Sequence, residues 1–215
     1  MEIDRKELKR RARADMGAAK PPFWAVLLAY LLLTTGVSDL LYLVSLPGGD
    51  GIPTTSIFLS VLITLYLWVM SFGLDLWSLW TTRHLDPGMN ALFQGFSVVG
   101  RVIWLNISMA LQITFRLFPA VIALVLFYFL LSPLLLAAPV ALIFCTIPVM
   151  FALYYNIVLR YALAPYLLAD HPDDGAGLAI RRSMELMRGW KWELFKLDFS
   201  FLGWLILLEA LRLLA

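Results

Sequence analysis

The chain has 215 residues, of which 61% are hydrophobic and only 15% are charged, and its mean hydropathy is +0.82. This composition excludes an ordinary soluble globular domain and is typical of a polytopic membrane protein. The net charge is only +2, but the charged residues are clustered. Cys145 is the sole cysteine, which excludes an intrachain disulfide. We therefore predict one all-α membrane domain over residues 1–215, built as a transmembrane helical bundle.

Residues 1–20 form a basic arm that contains seven Lys and Arg residues. Leu8, Ala12 and Met16 recur in it at helical spacing, which predicts a short helix resting on an anionic membrane leaflet. The same charges could bind nucleic acid, but topology and lipid attraction already explain a basic segment beside a membrane span. We therefore expect anionic lipid as a partner, and no nucleic acid.

Apolar stretches long enough to cross a bilayer follow the arm. The longest, residues 102–168, would form a helix of roughly 100 Å, about three times the hydrocarbon thickness, so it must fold back on itself. Ser132 and Pro133, with Pro139 beyond them, mark the reversal. The sequence thus predicts about five spans, at residues 23–46, 57–80, 102–130, 138–161 and 197–214.

Two further segments have the pattern of interfacial amphipathic helices, at residues 83–100 and 175–189. The second follows an acidic stretch, which suits a helix N-terminus, and it ends at Gly189. A belt rich in Trp and Lys then leads into the last span. One side of the second helix is apolar and the other is charged; the predicted interfacial surface comprises Arg181, Arg182, Arg188, Trp190, Lys191 and Trp192.

The distribution of Lys and Arg among the loops predicts the orientation. Seven lie in the N-terminal arm, two in residues 81–101 and five in residues 169–196, whereas residues 47–56 and 131–137 hold none. With five spans, alternation puts the three basic segments on one side, which the positive-inside rule assigns to the cytoplasm. The N-terminus and both amphipathic helices are then cytoplasmic, and the C-terminus is outside.

Motifs in the last quarter of the chain carry a family resemblance. They read Tyr161-x-x-x-Pro165-Tyr166-x-Leu168-Ala169-Asp170 and then Ser183-x-x-Leu186-Met187-x-Gly189-x-Lys191-x-x-Leu194-Phe195, with Gly203-Trp204 beyond. This pattern resembles the domain-of-unknown-function 975 family of bacterial integral membrane proteins, which is similar to the membrane domain attached to some glycerophosphodiester phosphodiesterases. The resemblance implies a multi-pass protein of the bacterial cytoplasmic membrane without an assigned activity.

Charges inside the predicted spans are the sharpest candidates for a site, because each is costly in hydrocarbon. Arg116 lies about mid-depth in the third span, and Arg160 lies near the end of the fourth, where it could reach the interface. We interpret both as candidates for binding a ligand or a lipid headgroup. The alternative is that Arg116 pairs within the bundle with Asp39, Glu209 or backbone carbonyls.

Residues able to carry out catalysis are scarce. The only histidines are His84 and His171, and no set of His, Cys or carboxylate residues has the spacing of a metal site on a span. Ser183 has no companion base, so we interpret it as a packing residue and not as a nucleophile. We expect no enzyme activity, no metal and no cofactor.

Two functional hypotheses follow. The first is a non-enzymatic membrane protein that binds lipid or assists a protein partner in envelope or export processes. The alternative is a small transporter or permease component that uses Arg116 to meet an anionic solute. The sequence does not define the ligand, the biological process or the oligomeric state.

Labelling of single-cysteine variants in a Cys145→Ala background tests the predicted orientation. A membrane-impermeant maleimide should label cysteines placed within 47–56 from outside the cell. Cysteines within 176–188 should react only after the membrane is opened. The reverse pattern would overturn the orientation.

Overall fold

The computed structural model describes residues 4–44, 54–130, 139–201 and 203, and every regular element within these ranges is helical. The segments that link successive helices include a π-helical turn at Leu32–Gly36 and 3₁₀ segments at Met89–Val98, Leu159–Tyr161 and Pro172–Asp174. The α-helices are α1 (Arg5–Ala18), α2 (Phe23–Leu31), α3 (Val37–Val44), α4 (Thr54–Thr82), α5 (Val99–Leu130), α6 (Pro139–Val158), α7 (Ala164–Asp170), α8 (Ala176–Leu186) and α9 (Lys191–Phe199).

Four helical stretches are long and apolar enough to cross a membrane: Phe23–Leu40, Ile57–Thr82, Met89–Leu130 and Thr146–Asp170. They overlap the first four predicted spans, so the prediction of an all-helical chain with helices able to cross a membrane is confirmed. The predicted fifth span, residues 197–214, lies mostly outside the described residues.

The outer surface of the spanning helices is apolar. On α5 the side chain of Phe129 is 80% exposed and that of Phe115 is 74% exposed, and Trp24 on α2 is 68% exposed. Contiguous exposed aromatic and aliphatic groups of this kind would be a liability in water. They are expected where lipid surrounds the helices, because hydrocarbon then takes the place of a protein core. The exposure pattern therefore agrees with a membrane protein.

The described chain forms two compact units. The first comprises residues 1–106 and 165–176, and the second comprises residues 107–164 and 177–215. The first unit has a core of large buried side chains, contributed by α2, α4 and the 3₁₀ segment Met89–Val98. This core contains Val26, Met70, Trp77, Ala91 and Leu92.

Two glycines allow α4 and the 3₁₀ segment to pack backbone against backbone. A Cβ on Gly73 would lie 2.0 Å from the carbonyl oxygen of Leu92, and a Cβ on Gly95 would lie 2.6 Å from that of Val69. Both distances are too short to separate a methyl group from a carbonyl oxygen. Small residues at helix contacts are a common device of membrane proteins, since close approach increases the van der Waals contact that holds helices together in lipid.

Polar side chains satisfy the irregular backbone of the first unit. The π-helical turn interrupts the regular hydrogen bonding of the first span, and the hydroxyl of Tyr66 on α4 donates to the carbonyl oxygen of Leu33 at 3.0 Å. Similarly, the indole of Trp77 donates to the Pro87 carbonyl at 3.1 Å, which fixes the turn after α4. Each bond gives a partner to a carbonyl that hydrocarbon could not solvate.

The predicted helix of the basic arm is present as α1. The Asp4 carboxylate accepts from the backbone amides of Lys6 and Glu7 and so caps the helix. Glu7 accepts bonds from Arg10 and Arg11, one helical turn further on, and these bonds lower the pKa of the Glu7 carboxyl.

The helix predicted at residues 175–189 is also present, as α8. Gly175 precedes it with a φ of +78°, and Gly189 follows it with a φ of +86°. Glycine adopts positive φ angles without steric cost, so it suits both ends of the helix. Ala176, Ile180, Ser183 and Met187 are buried, while Arg181, Arg182, Glu185 and Arg188 are exposed.

The segment predicted as the other interfacial helix, residues 83–100, has a different form. A turn follows α4, and the 3₁₀ helix Met89–Val98 then continues directly into α5. Its buried residues, Ala91, Leu92 and Gly95, belong to the face that packs on α4. The location of either amphipathic segment at a cytoplasmic membrane surface stays a prediction.

Replacement of Gly73 by alanine should destabilise the first unit, because the new methyl group meets the Leu92 backbone. Overpacking of this kind costs about 1–3 kcal/mol. Gly100→Ala is the matched control, since a Cβ there meets nothing within 4 Å. Thermal unfolding in detergent should show a lower midpoint for Gly73→Ala alone. Equal midpoints for the two variants would contradict the close packing.

Candidate functional site

The acidic stretch before α8 is held by arginines of the first unit. Two guanidinium nitrogens of Arg83 lie 2.7 and 2.8 Å from the two carboxylate oxygens of Asp170, and Arg101 lies 3.3 Å from Asp173. Both arginines are partly exposed, so each pair contributes modestly to stability. The sequence pattern suggested helix capping for these carboxylates and did not reveal their partners, which lie 87 and 72 residues away in the chain.

Ser183 links α8 to the turn after α6 in the second unit. Its hydroxyl donates to the Arg160 carbonyl at 2.9 Å and accepts from the Leu163 amide at 3.2 Å. The side chain is fully buried. These two bonds satisfy backbone groups where the 3₁₀ segment Leu159–Tyr161 ends. Ser183 therefore has a structural role, in agreement with its interpretation as a packing residue.

Arg116 of α5 lies near the same turn. Its Nη2 is 3.5 Å from the sulfur of Met184, and its guanidinium carbon is 5.7 Å from the centre of the Tyr161 ring. The Tyr161 hydroxyl lies 3.2 Å from the Gln112 side-chain oxygen, one turn before Arg116 on α5. A thioether is a weak acceptor and a cation–π contact is modest, so Arg116 keeps strong donors unused.

Lys191, the first residue of α9, reaches this turn from another direction. Its Nζ lies 3.3 Å from the side-chain oxygen of Asn156, which precedes Arg160 by four residues. Burial lowers the pKa of the Lys191 ammonium, and the positive charges of Arg160 and Arg116 lower it further. Both arginines are therefore close enough to disfavour the charged form of this lysine.

Arg116, Arg160 and Lys191 together form what we term the cationic cluster. Within the described ranges of the chain, no carboxylate forms an ion pair with any of the three. The Nε of Arg160 is buried and has no hydrogen-bond partner there. A buried guanidinium donor without a partner is costly, and the mutual repulsion of the three cations adds to that cost. The cluster thus has the charge and the free donors to hold an anion.

Beside the cluster runs a groove of about 690 Å³ between α6 and α9, which we term the aromatic groove. It begins at Lys191 and extends along two turns of α9. Its volume lies in the range of ligand-binding pockets. The lining residues are Phe151, Ala152, Tyr155, Asn156, Leu159, Lys191, Trp192, Phe195, Asp198 and Phe199.

The groove walls are fixed by contacts between rings. Trp192 stacks on Phe195 at 5.1 Å between ring centres, Phe195 meets the edge of Tyr155 at 5.7 Å, and Phe199 stacks on Phe195 at 5.8 Å. Ring pairs at these separations are favourable beyond the area that they bury. At the far end the Tyr155 hydroxyl donates to Asp198 at 2.6 Å, so that carboxylate already has a partner.

The structure brings together part of the predicted site. Arg116, Arg160 and Lys191 meet at one turn, and Trp192 lines the adjoining groove. Arg181, Arg182, Arg188 and Trp190 do not line the groove and are exposed on and after α8.

Sequence reasoning missed the apolar lining, although a signal for it exists. Phe151 and Tyr155 lie four residues apart on α6, with Leu159 four residues further on in the 3₁₀ segment, and Phe195 and Phe199 have the same spacing on α9. Periodicity shows that each helix has an aromatic stripe. It cannot show that the two stripes face each other.

Metal binding has no support in the part of the chain that the structure describes. Within it, no group of three or more His, Cys, Asp or Glu residues is placed to hold an ion. The cationic cluster would repel a cation, and the groove lining is almost entirely apolar.

These features belong to a helical membrane protein with a cationic, aromatic-lined site. The chain belongs to the family described as Protein of unknown function (DUF975), which it matches over residues 1–213. No curated protein matches the chain. No solved structure matches it either. The family description carries no activity, so the function has to be argued from the site.

Ser183→Ala should destabilise the second unit, because it removes the buried hydroxyl that bonds both the Leu163 amide and the Arg160 carbonyl in a partly buried turn. The expected cost is about 1–3 kcal/mol. Ser97→Ala is the control, since Ser97 is exposed and bonds only within its own turn. Thermal unfolding in detergent compares the two. Equal stability would contradict the bridging role of Ser183.

Proposed function

We propose that this protein is a non-enzymatic integral membrane protein that binds anionic lipid at the cationic cluster, with the headgroup on the cations and hydrocarbon in the aromatic groove. The observation that carries the proposal is that Arg116, through Tyr161 and Met184, and Lys191, through Asn156, contact residues beside the turn that holds Arg160, while none of the three pairs with a carboxylate in the described residues. An anionic headgroup would neutralise the repulsion and would accept from the vacant donors.

The position of the groove supports a lipid over a dissolved anion. Phe151 and Tyr155, which line it, belong to the candidate span Thr146–Asp170, whereas Lys191 follows that span. A ligand that binds both parts therefore needs a charged end and a hydrocarbon end. An anionic solute in a transporter would use the cations alone, and the aromatic lining would then have no function.

A role in assisting a protein partner remains compatible with lipid binding. The exposed arginines of α8 offer a second positively charged surface, which would be attracted to the anionic leaflet by about 1 kcal/mol per residue. Location in a bacterial cytoplasmic membrane, with the N-terminus and α8 on the cytoplasmic side, is part of this proposal. So is the likeness to the membrane domain attached to some glycerophosphodiester phosphodiesterases.

Arg116→Leu tests the proposal. A central arginine costs about 2.5–3.5 kcal/mol on membrane insertion scales, so a bundle that only needed to fold would tolerate leucine there. We expect a thermal midpoint at least equal to that of the parent, together with loss of co-purifying anionic lipid in native mass spectrometry. Arg101→Leu is the matched control, because Arg101 belongs to the first unit and is paired with Asp173, and it should retain the lipid.

The opposite outcome is equally specific. If Arg116 serves only as a structural ion pair, its removal leaves a carboxylate without a partner and lowers stability. Neutralising that partner, with Glu209→Gln tried first because Glu209 lies outside the described residues, would then restore the midpoint. Such a rescue would overturn the assignment of Arg116 to a lipid site.

A further inference from the structure

The charge and the donor geometry of the cationic cluster indicate which class of lipid headgroup binds there, an inference that rests on the proposed function. We propose that the cluster selects lipids whose headgroup is a phosphate monoester, of the phosphatidic acid type, over phosphodiester lipids such as phosphatidylglycerol. The docked ligand places the phosphate among Arg116, Arg160 and Lys191 and one hydrocarbon chain along the aromatic groove.

The first argument is the number of charges. Arg116 and Lys191 contact Tyr161 and Asn156, which flank Arg160 in the chain, and within the described ranges no carboxylate pairs with any of these three cations. A phosphodiester supplies one negative charge, whereas a phosphate monoester carries about −1.5 to −2 near pH 7, because its second pKa is about 6. The monoester therefore neutralises more of the repulsion.

The second argument is the number of vacant donors. Within the residues that the structure describes, the buried Arg160 Nε has no partner, and the guanidinium of Arg116 has its hydrogen-bond contact with a thioether. A monoester presents three terminal oxygens to such donors, and a diester presents only two. Guanidinium groups bind phosphate oxygens in fixed, bidentate geometry, so an additional acceptor adds specificity as well as energy.

The third argument is the apolar end of the site. The groove starts at Lys191 and runs past Trp192 and Phe195 to Phe199, which is roughly 12 Å along α9 at the rise of an α-helix. Its far carboxylate, Asp198, is bonded to Tyr155 and so does not compete for the cations at the other end. One chain can therefore lie on the rings while its phosphate reaches the cluster.

A lipid titration at two pH values provides the test. Delipidated full-length protein in a zwitterionic detergent receives phosphatidic acid or phosphatidylglycerol with brominated chains, and quenching of tryptophan fluorescence reports occupancy of the groove. Trp192→Phe identifies the part of the signal that arises from Trp192. At pH 8 we expect half-saturation at roughly tenfold less phosphatidic acid than phosphatidylglycerol, as for one additional charged hydrogen bond.

Lowering the pH to 5.5 should remove most of this preference, because the second ionisation of the monoester is then largely reversed. The charged and titratable groups around the site are Arg116, Arg160, Lys191, Glu193, Lys196, Asp198 and Tyr155, and both histidines lie in the other unit. Phosphatidylglycerol keeps one charge throughout, so any titration of the protein itself would change both affinities together.

Lys191→Gln should reduce the preference for phosphatidic acid. Lys196→Gln is the control, because Lys196 is on the same helix but is paired with Glu193 at 2.6 Å, and it should keep the preference. If Lys191→Gln does not fold, the comparison of the two lipids on the unaltered protein still tests the preference for a phosphate monoester.

Each outcome of the lipid titration supports or overturns a specific proposal. Equal affinities for the two anionic lipids at both pH values would overturn the monoester inference and leave the lipid proposal standing. Affinities no higher than that for phosphatidylcholine would overturn both. Competition by millimolar inorganic phosphate as strong as that by phosphatidic acid would show that the groove holds no chain, and would also overturn the inference.

Discussion

The neutral contacts that hold Arg116 and Lys191 beside the turn carrying Arg160 are the interactions on which the proposed site depends. Charges are costly in so apolar a chain, and the cost rises when like charges meet. Proteins ordinarily resolve it with carboxylates, as this chain does where Arg83 meets Asp170. At the cluster the described chain provides an amide, a thioether and an aromatic ring in place of carboxylates. Neutral partners of this kind orient cations without neutralising them, which leaves the charge available to a ligand.

The scaffold around the cluster is built to keep this arrangement in place. Ser183 is fully buried and bonds both sides of the turn that carries Arg160, so the register of α8 against that turn is fixed by two hydrogen bonds. Gly175 and Gly189 adopt positive φ angles at the two bounds of α8 and permit the sharp changes of direction there. The position of the site thus depends on hydrogen bonds to the backbone and on the backbone angles of two glycines, while its charge depends on three side chains.

Much of this architecture could be predicted from the sequence, because hydropathy and helical periodicity are local properties. The approximate positions of four helices able to span a membrane, and the presence of a helix between Gly175 and Gly189, follow directly from them. The candidate residues Arg116 and Arg160 also followed, since a charge in an apolar run is conspicuous. The sequence did not predict that these two arginines lie close to Lys191. That closeness depends on which faces of α5, α6 and α9 pack together, and on Asn156 and Met184, whose types carry no signal of their own. The packing of Met89–Val98 on α4 depends similarly on the close approach of Gly73 to the backbone of Leu92.

The central claim is that the cluster holds a lipid phosphate, and the most direct measurement is a distance between the two. Solid-state NMR dipolar recoupling between lipid phosphorus and ¹⁵N-labelled lysine side chains, in bilayers that contain phosphatidic acid, reports such a contact. The account predicts strong dephasing of one lysine resonance that disappears in Lys191→Gln and persists in Lys196→Gln. Dephasing that is unchanged by Lys191→Gln, or that is absent from the unaltered protein, would contradict it.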